Sequence, residues 1–163
     1  MNLRVAKMTA WQVFVILIIG FLLTSSFWTG PPMIVYPAKI FGYLIIVGYK
    51  FLIGWELYRM IGSKWIFNFN LFIINSIIIG IGWPLIMVLT NYRGLSFNIQ
   101  NGIPLLYFAF AFLHTHALPM KMLVSIEENR KVNFGAYFGE LLLLTIWPIG
   151  VWFIQPRLNK ITS

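Results

Sequence analysis

The chain of 163 residues is 60% hydrophobic and 10% charged, with twelve Lys and Arg against four acidic residues and a net charge of +8. Soluble domains carry about 25% charged residues, so this composition excludes an ordinary globular protein. With no cysteine, disulfides, thiolate metal sites and a cysteine nucleophile are excluded as well.

Lipid leaves backbone polar groups no partner but the chain itself, which makes helices the expected solution here. A hydrocarbon layer of about 30 Å takes roughly 20 apolar residues as helix. Five stretches approach that length, at residues 11–28, 38–60, 65–90, 103–122 and 134–154. The expected architecture is all-α, a polytopic transmembrane helix bundle in one domain over residues 1–163. Four spans result if the first is cleaved as a signal peptide or if one segment is re-entrant.

The first span follows Arg4 and Lys7, and the small residues Thr24, Ser25 and Ser26 near its end also fit a signal peptide. Pro31 and Pro32 are expected to stop it, because proline lacks a donor and restricts the residue before it. The second span is expected to begin after Pro37, a residue suited to a helix's first turn. It carries Lys50 and Glu56. The third carries Asn75 and Pro84, and a kink is expected at Pro84. His114, His116 and Pro119 fall in the fourth, Glu140 and Pro148 in the fifth.

Basic residues stand at span ends rather than in one stripe, which points to bilayer orientation and anionic lipid and away from nucleic acid. Arg4, Lys7, Arg59, Lys64, Lys121, Arg130 and Lys131 are expected in the cytoplasm, against Lys39, Arg93, Arg157 and Lys160 outside. The N-terminus is then cytoplasmic and the C-terminus external, with the plasma (inner) membrane the expected location. Trp11, Trp28, Trp65 and Trp152 near span ends fit the headgroup level.

Measured from span midpoints at about 1.5 Å per residue, Lys50, Asn75, His114, His116 and Glu140 share one level slightly toward the cytoplasm, with Glu56 deeper. Charged groups in lipid face the bundle interior and find partners. The expected pairs are Lys50 with Glu140, and Glu56 with Arg59 three residues along the same face. This layer reads either as polar contacts that fix helix register or as a cytoplasm-facing cavity for a ligand or ion. His114 and His116 stand two apart and point in different directions on a helix, so no shared metal is expected. No cofactor is expected either. Glu127 and Glu128 sit in the polar run IEENRK and read as solvated.

Gly135 and Gly139 form a GxxxG that suits close helix packing, within the chain or between copies. Trp83-Pro84 and Trp147-Pro148 recur at an offset of 64, which also pairs Lys50 with His114 and suggests an internal duplication. The segment Trp28-Thr-Gly-Pro31-Pro32-Met-Ile-Val35-Tyr36-Pro37, the Trp content and Asn75 in the third span resemble the tryptophan-rich sensory, or translocator, proteins. The fifth span departs from that family's pattern. The resemblance implies a pocket for porphyrin-like or other hydrophobic ligands beneath the first loop, toward the outer side.

Three functional classes follow. The first is an accessory, regulatory or pore-forming subunit acting by association, with the bilayer and a possible homo-oligomer or protein partner. The second is a small-molecule or ion binder or transporter, and the third an intramembrane enzyme.

Overall fold

The computed structural model describes residues 7–25, 31–62, 64–90 and 99–162, the side chains of 99–101 excepted; Trp28 and Arg93 lie outside them. All regular structure among them is helical. The elements are α1 (Ala10–Thr24), α2 (Pro32–Ile61), α3 (Phe69–Ile77), a π-helical turn (Ile78–Gly82), α4 (Trp83–Leu89), α5 (Ile99–Glu127), α6 (Phe134–Thr145) and α7 (Trp147–Thr162). Three helical units are long and apolar enough to cross a membrane: Pro32–Ile61, Phe69–Leu89 and Gly102–Glu127.

α1 starts at a capping box. The Thr9 hydroxyl accepts from the Gln12 amide and the Gln12 side chain accepts from the Thr9 amide, which satisfies two otherwise orphaned donors. Proline marks the next start rather than a stop. Pro32 is the first residue of α2, where a missing N–H costs nothing, and Pro37 lies inside that helix. The boundary expected after Pro37 therefore moves back to Pro32.

α1 and α2 make the most extensive helix contact. They cross at two glycines: a Cβ on Gly42 would lie 2.5 Å from the Gly20 carbonyl oxygen, and one on Gly20 would lie 3.0 Å from that of Gly42. The close crossing is thus not at Gly135 and Gly139. Both of those are exposed, and a Cβ on either would meet nothing within 4 Å, which overturns the intrachain packing expected of them.

The two Trp-Pro pairs are treated in opposite ways. Pro84 cannot donate to the carbonyl four residues back, and the helix absorbs the defect by widening into the π turn before Trp83 and then continuing. At Pro148 the helix breaks. α6 ends at Thr145, Ile146 takes non-helical angles, and α7 begins at Trp147. α7 folds back on α6 so closely that a Cβ on Gly150 would lie 1.8 Å from the Leu143 carbonyl oxygen, a fit open only to glycine.

The fifth apolar stretch is consequently a helical hairpin and not one straight span. Arg157 Nη1 reaches Glu140 Oε1 at 3.0 Å, although a straight helix would put these residues about 25 Å apart. The same guanidinium bonds both oxygens of Glu127, its Nε at 2.8 Å. Hydrogen bonding to Glu127, then to Glu140, holds the guanidinium above its usual pKa. The side-chain amides of Gln155 and Asn159 each donate to the Met8 carbonyl at 3.0 Å. The beginning of α1 and the end of α7 therefore lie at one end of the bundle, where a straight fifth span would have put them at opposite ends. The two Trp-Pro pairs are therefore not structurally equivalent, because the second reverses the chain where the first lets it run on.

Candidate functional site

Four of the six residues expected in one polar layer make two side-chain clusters that share α5. His114 and His116 stand two apart on that helix and face different neighbours. His116 turns to α2, where its Nε2 lies 2.5 Å from Lys50 Nζ. Its Nδ1 lies 2.7 Å from the Phe112 carbonyl oxygen. A carbonyl only accepts, so Nδ1 carries the proton and the unprotonated Nε2 accepts from the Lys50 amine. His114 turns to α3. Its Nδ1 is 3.1 Å from Asn75 Nδ2 and accepts from that amide, while Asn75 Oδ1 accepts from the Tyr107 hydroxyl at 2.8 Å. Asn75 is wholly buried.

Glu140 is not Lys50's partner. It is the seventh residue of α6, near the end of the bundle that carries Met8, and the fold-back of α7 gives it to Arg157. Glu127, expected to be solvated, joins the same ion pair. Glu56 does not pair with Arg59: among the described residues the ion pairs are Arg130 with Glu128 and Arg157 with Glu127 and Glu140, and Glu56 Oε1 is buried without a hydrogen-bond partner. No group of three or more His, Asp or Glu among the described residues could hold a metal ion.

Lys50 is 8% exposed and forms no ion pair among the described residues. Its ammonium lies 5.5 Å from the Phe112 ring centre. It lines a cavity of about 130 Å³ with Thr24, Tyr43, Ser76, Ile79, Phe112, Thr115 and His116 among the walls. Tyr43, Ile79 and Phe112 also line a wider apolar groove of about 620 Å³ completed by Trp83, Leu105, Phe108, Ala109 and Leu113. A third space of about 150 Å³ runs past Tyr43 to Thr24, Lys39, Trp83 and Met87.

These spaces lie in the half of the bundle remote from Met8. The opposite half is sealed by fully buried side chains, among them Ile53, Leu57, Phe72, Met120 and Leu123. Thr24, at the end of α1 away from Met8, lines two of these spaces. Tyr43 and Ser76 were not singled out in the sequence. The signal for Tyr43 was its spacing of seven from Lys50, which puts both on one helix face.

A separate knot holds the sealed end. The Tyr49 hydroxyl donates to Gln155 Oε1 at 3.1 Å, and the Gln155 amide also donates to Asn159. Gln155 is fully buried, and nothing in its local sequence separated it from a helix-end residue.

No family model matches the chain, and neither does any curated protein or solved structure. The resemblance to the translocator proteins therefore stays with one short segment, whose residues Trp28 to Gly30 lie outside the described ones and whose Pro32 to Pro37 begin α2. What the fold defines is a class: a helical, membrane-compatible protein with, among the described residues, three helical units long and apolar enough to span a bilayer.

Proposed function

We propose that this is an integral membrane protein that binds a lipophilic small molecule in the half of the bundle remote from Met8. The observation that carries the reading is the convergence of three spaces on Tyr43, one of them a groove of about 620 Å³ walled by aromatic and aliphatic side chains. Small-molecule sites span roughly 300–1,000 Å³, mostly apolar with a few convergent polar groups. Phe112 and Leu113 are 41% and 55% exposed, so the groove is open on the bundle's flank and admits a ligand already dissolved in the bilayer.

In this reading α1 also crosses the membrane. Its 15 residues span only about 22 Å, and its long contact with α2 supports a thinned or tilted crossing. The chain then makes four crossings and ends in a re-entrant α6–α7 hairpin. Arg157 and Lys160 join the seven basic residues on the N-terminal side, leaving Lys39 and Arg93 opposite. That asymmetry supports a cytoplasmic N-terminus in the plasma (inner) membrane, and the groove then faces outward.

The test is quenching of Trp83 by a neutral brominated single-chain amphiphile in detergent. The reading expects saturable quenching that is displaced by the unbrominated compound and lost in Trp83→Phe. Unsaturable quenching, equal in both proteins, would overturn it.

A role by association is the second reading, supported by the exposed α6 face that carries Gly135 and Gly139 beside Phe134 and Phe138. Its measure is the detergent-corrected mass of the protein against Gly139→Leu. A defined oligomer that becomes monomeric supports it.

A further inference from the structure

Lys50 is more than nine-tenths buried and points into a cavity with no carboxylate to balance it. An ammonium has three N–H donors, and among the described residues only His116 accepts from it. Two donors are left over. The hydroxyls of Ser76 and Tyr43 line the same cavity, and neither makes a hydrogen bond to the protein among the described residues. Thr115 does not compete, since its hydroxyl donates to the Phe112 carbonyl. The Lys50 ammonium and the two hydroxyls thus leave four donors unused beside the hydroxyls' own acceptor lone pairs, and no acidic group lines the cavity.

Buried donors without acceptors are costly, and a buried charge without a partner is costlier. The complement is an anionic head with several acceptor oxygens. The space beside it has the opposite character: the groove beyond Tyr43, Ile79 and Phe112 offers almost nothing but carbon. Phe112 belongs to both walls, and it also packs on His116 with ring centres 4.2 Å apart, so the ring that borders the apolar groove is tied to the base that orients Lys50.

Resting on the binding function proposed above, we infer that the ligand is a single-chain amphiphile with an anionic head, a carboxylate or phosphate monoester. Its head is held by Lys50, Ser76 and Tyr43 and its chain lies in the groove past Trp83. His116 acts as a positioning residue. It accepts one Lys50 hydrogen and leaves the other two directed at the head.

The experiment compares hexadecanoate, hexadecyl phosphate and hexadecanol as displacers of the brominated neutral amphiphile from the full-length protein. At equal chain length the two anions are expected to displace at least about tenfold more tightly than the alcohol, as charge-assisted hydrogen bonds require. Hexadecanoate above hexadecyl phosphate identifies a carboxylate ligand, and the reverse order a phosphate. Lys50→Met is expected to remove the anion advantage and keep hexadecanol binding, and Lys50→Arg to retain part of it. Ser76→Ala, a smaller change that keeps the charge, is expected to weaken the anions more than the alcohol. Equal displacement by all three would overturn the anionic head while leaving the lipophilic site intact. Failure of all three to displace a bound probe would overturn both.

Discussion

Lys50 Nζ and His116 Nε2 stand 2.5 Å apart across the contact of α2 and α5, and the bond from His116 Nδ1 to the Phe112 carbonyl decides that the histidine accepts. Removing the acceptor is expected to destabilise the fold more than removing both partners. His116→Leu leaves a buried amine without its base, at a cost of about 1–3 kcal/mol, and the Lys50→Met, His116→Leu double variant is expected to recover part of that loss. Denaturant unfolding of the four proteins in detergent measures the coupling. Strict additivity would show that the contact contributes nothing.

The second cluster makes a separate prediction. Asn75 has both amide atoms engaged, with Tyr107 and His114, and is fully buried. Asn75→Leu is expected to lower stability by about 1–3 kcal/mol, and Tyr107→Phe, with one hydrogen bond lost at a partly exposed site, by about 1 kcal/mol or less. Equal losses in the two variants would contradict the arrangement.

The crossing of α1 and α2 gives a steric test. A side chain on Gly42 meets the Gly20 backbone at 2.5 Å and Leu23 Cβ at 2.6 Å, so Gly42→Val is expected to cost about 1–3 kcal/mol or more through overpacking. Gly139→Val on the exposed α6 face is expected to leave the unfolding of the monomer within about 0.5 kcal/mol of the parent. A reversed order would move the close contact back to the GxxxG.

The hairpin predicts where the two ends of the chain emerge. Because α7 returns to Met8 and its Arg157 clasps Glu127 and Glu140, reporters fused to the N- and C-termini are expected to show the same compartment. Arg157→Ala removes the clasp and is expected to raise the protease sensitivity of α7. Reporters in opposite compartments would mean a straight fifth span.

Much of the layering was legible because hydropathy and the cost of buried charge act residue by residue. Lys50, Asn75, His114 and His116 were singled out as groups that need partners and each has one, and the two-residue spacing of the histidines indicated separate partners. The partners were not legible. Lys50 was assigned to Glu140 on depth alone, which assumed a straight fifth helix, and the reversal at Trp147-Pro148 depends on Gly150 meeting Leu143, a tertiary contact. The same dipeptide at Trp83-Pro84 keeps its direction, so proline by itself does not distinguish a π turn from a break. The glycine crossing was missed for a related reason: Gly20 and Gly42 form no motif along one helix, and only the antiparallel α1–α2 contact brings them together.

The central claim is that the bundle is sealed on the side of its N-terminus and open, toward Tyr43 and Lys50, on the other. Since the chain has no cysteine, single replacements report directly. In oriented vesicles, Tyr43→Cys is expected to react with a small membrane-impermeant thiol reagent added on the side opposite the N-terminus, and Leu57→Cys, at a fully buried position, with reagent from neither side. Modification of Tyr43→Cys only from the N-terminal side would contradict the account.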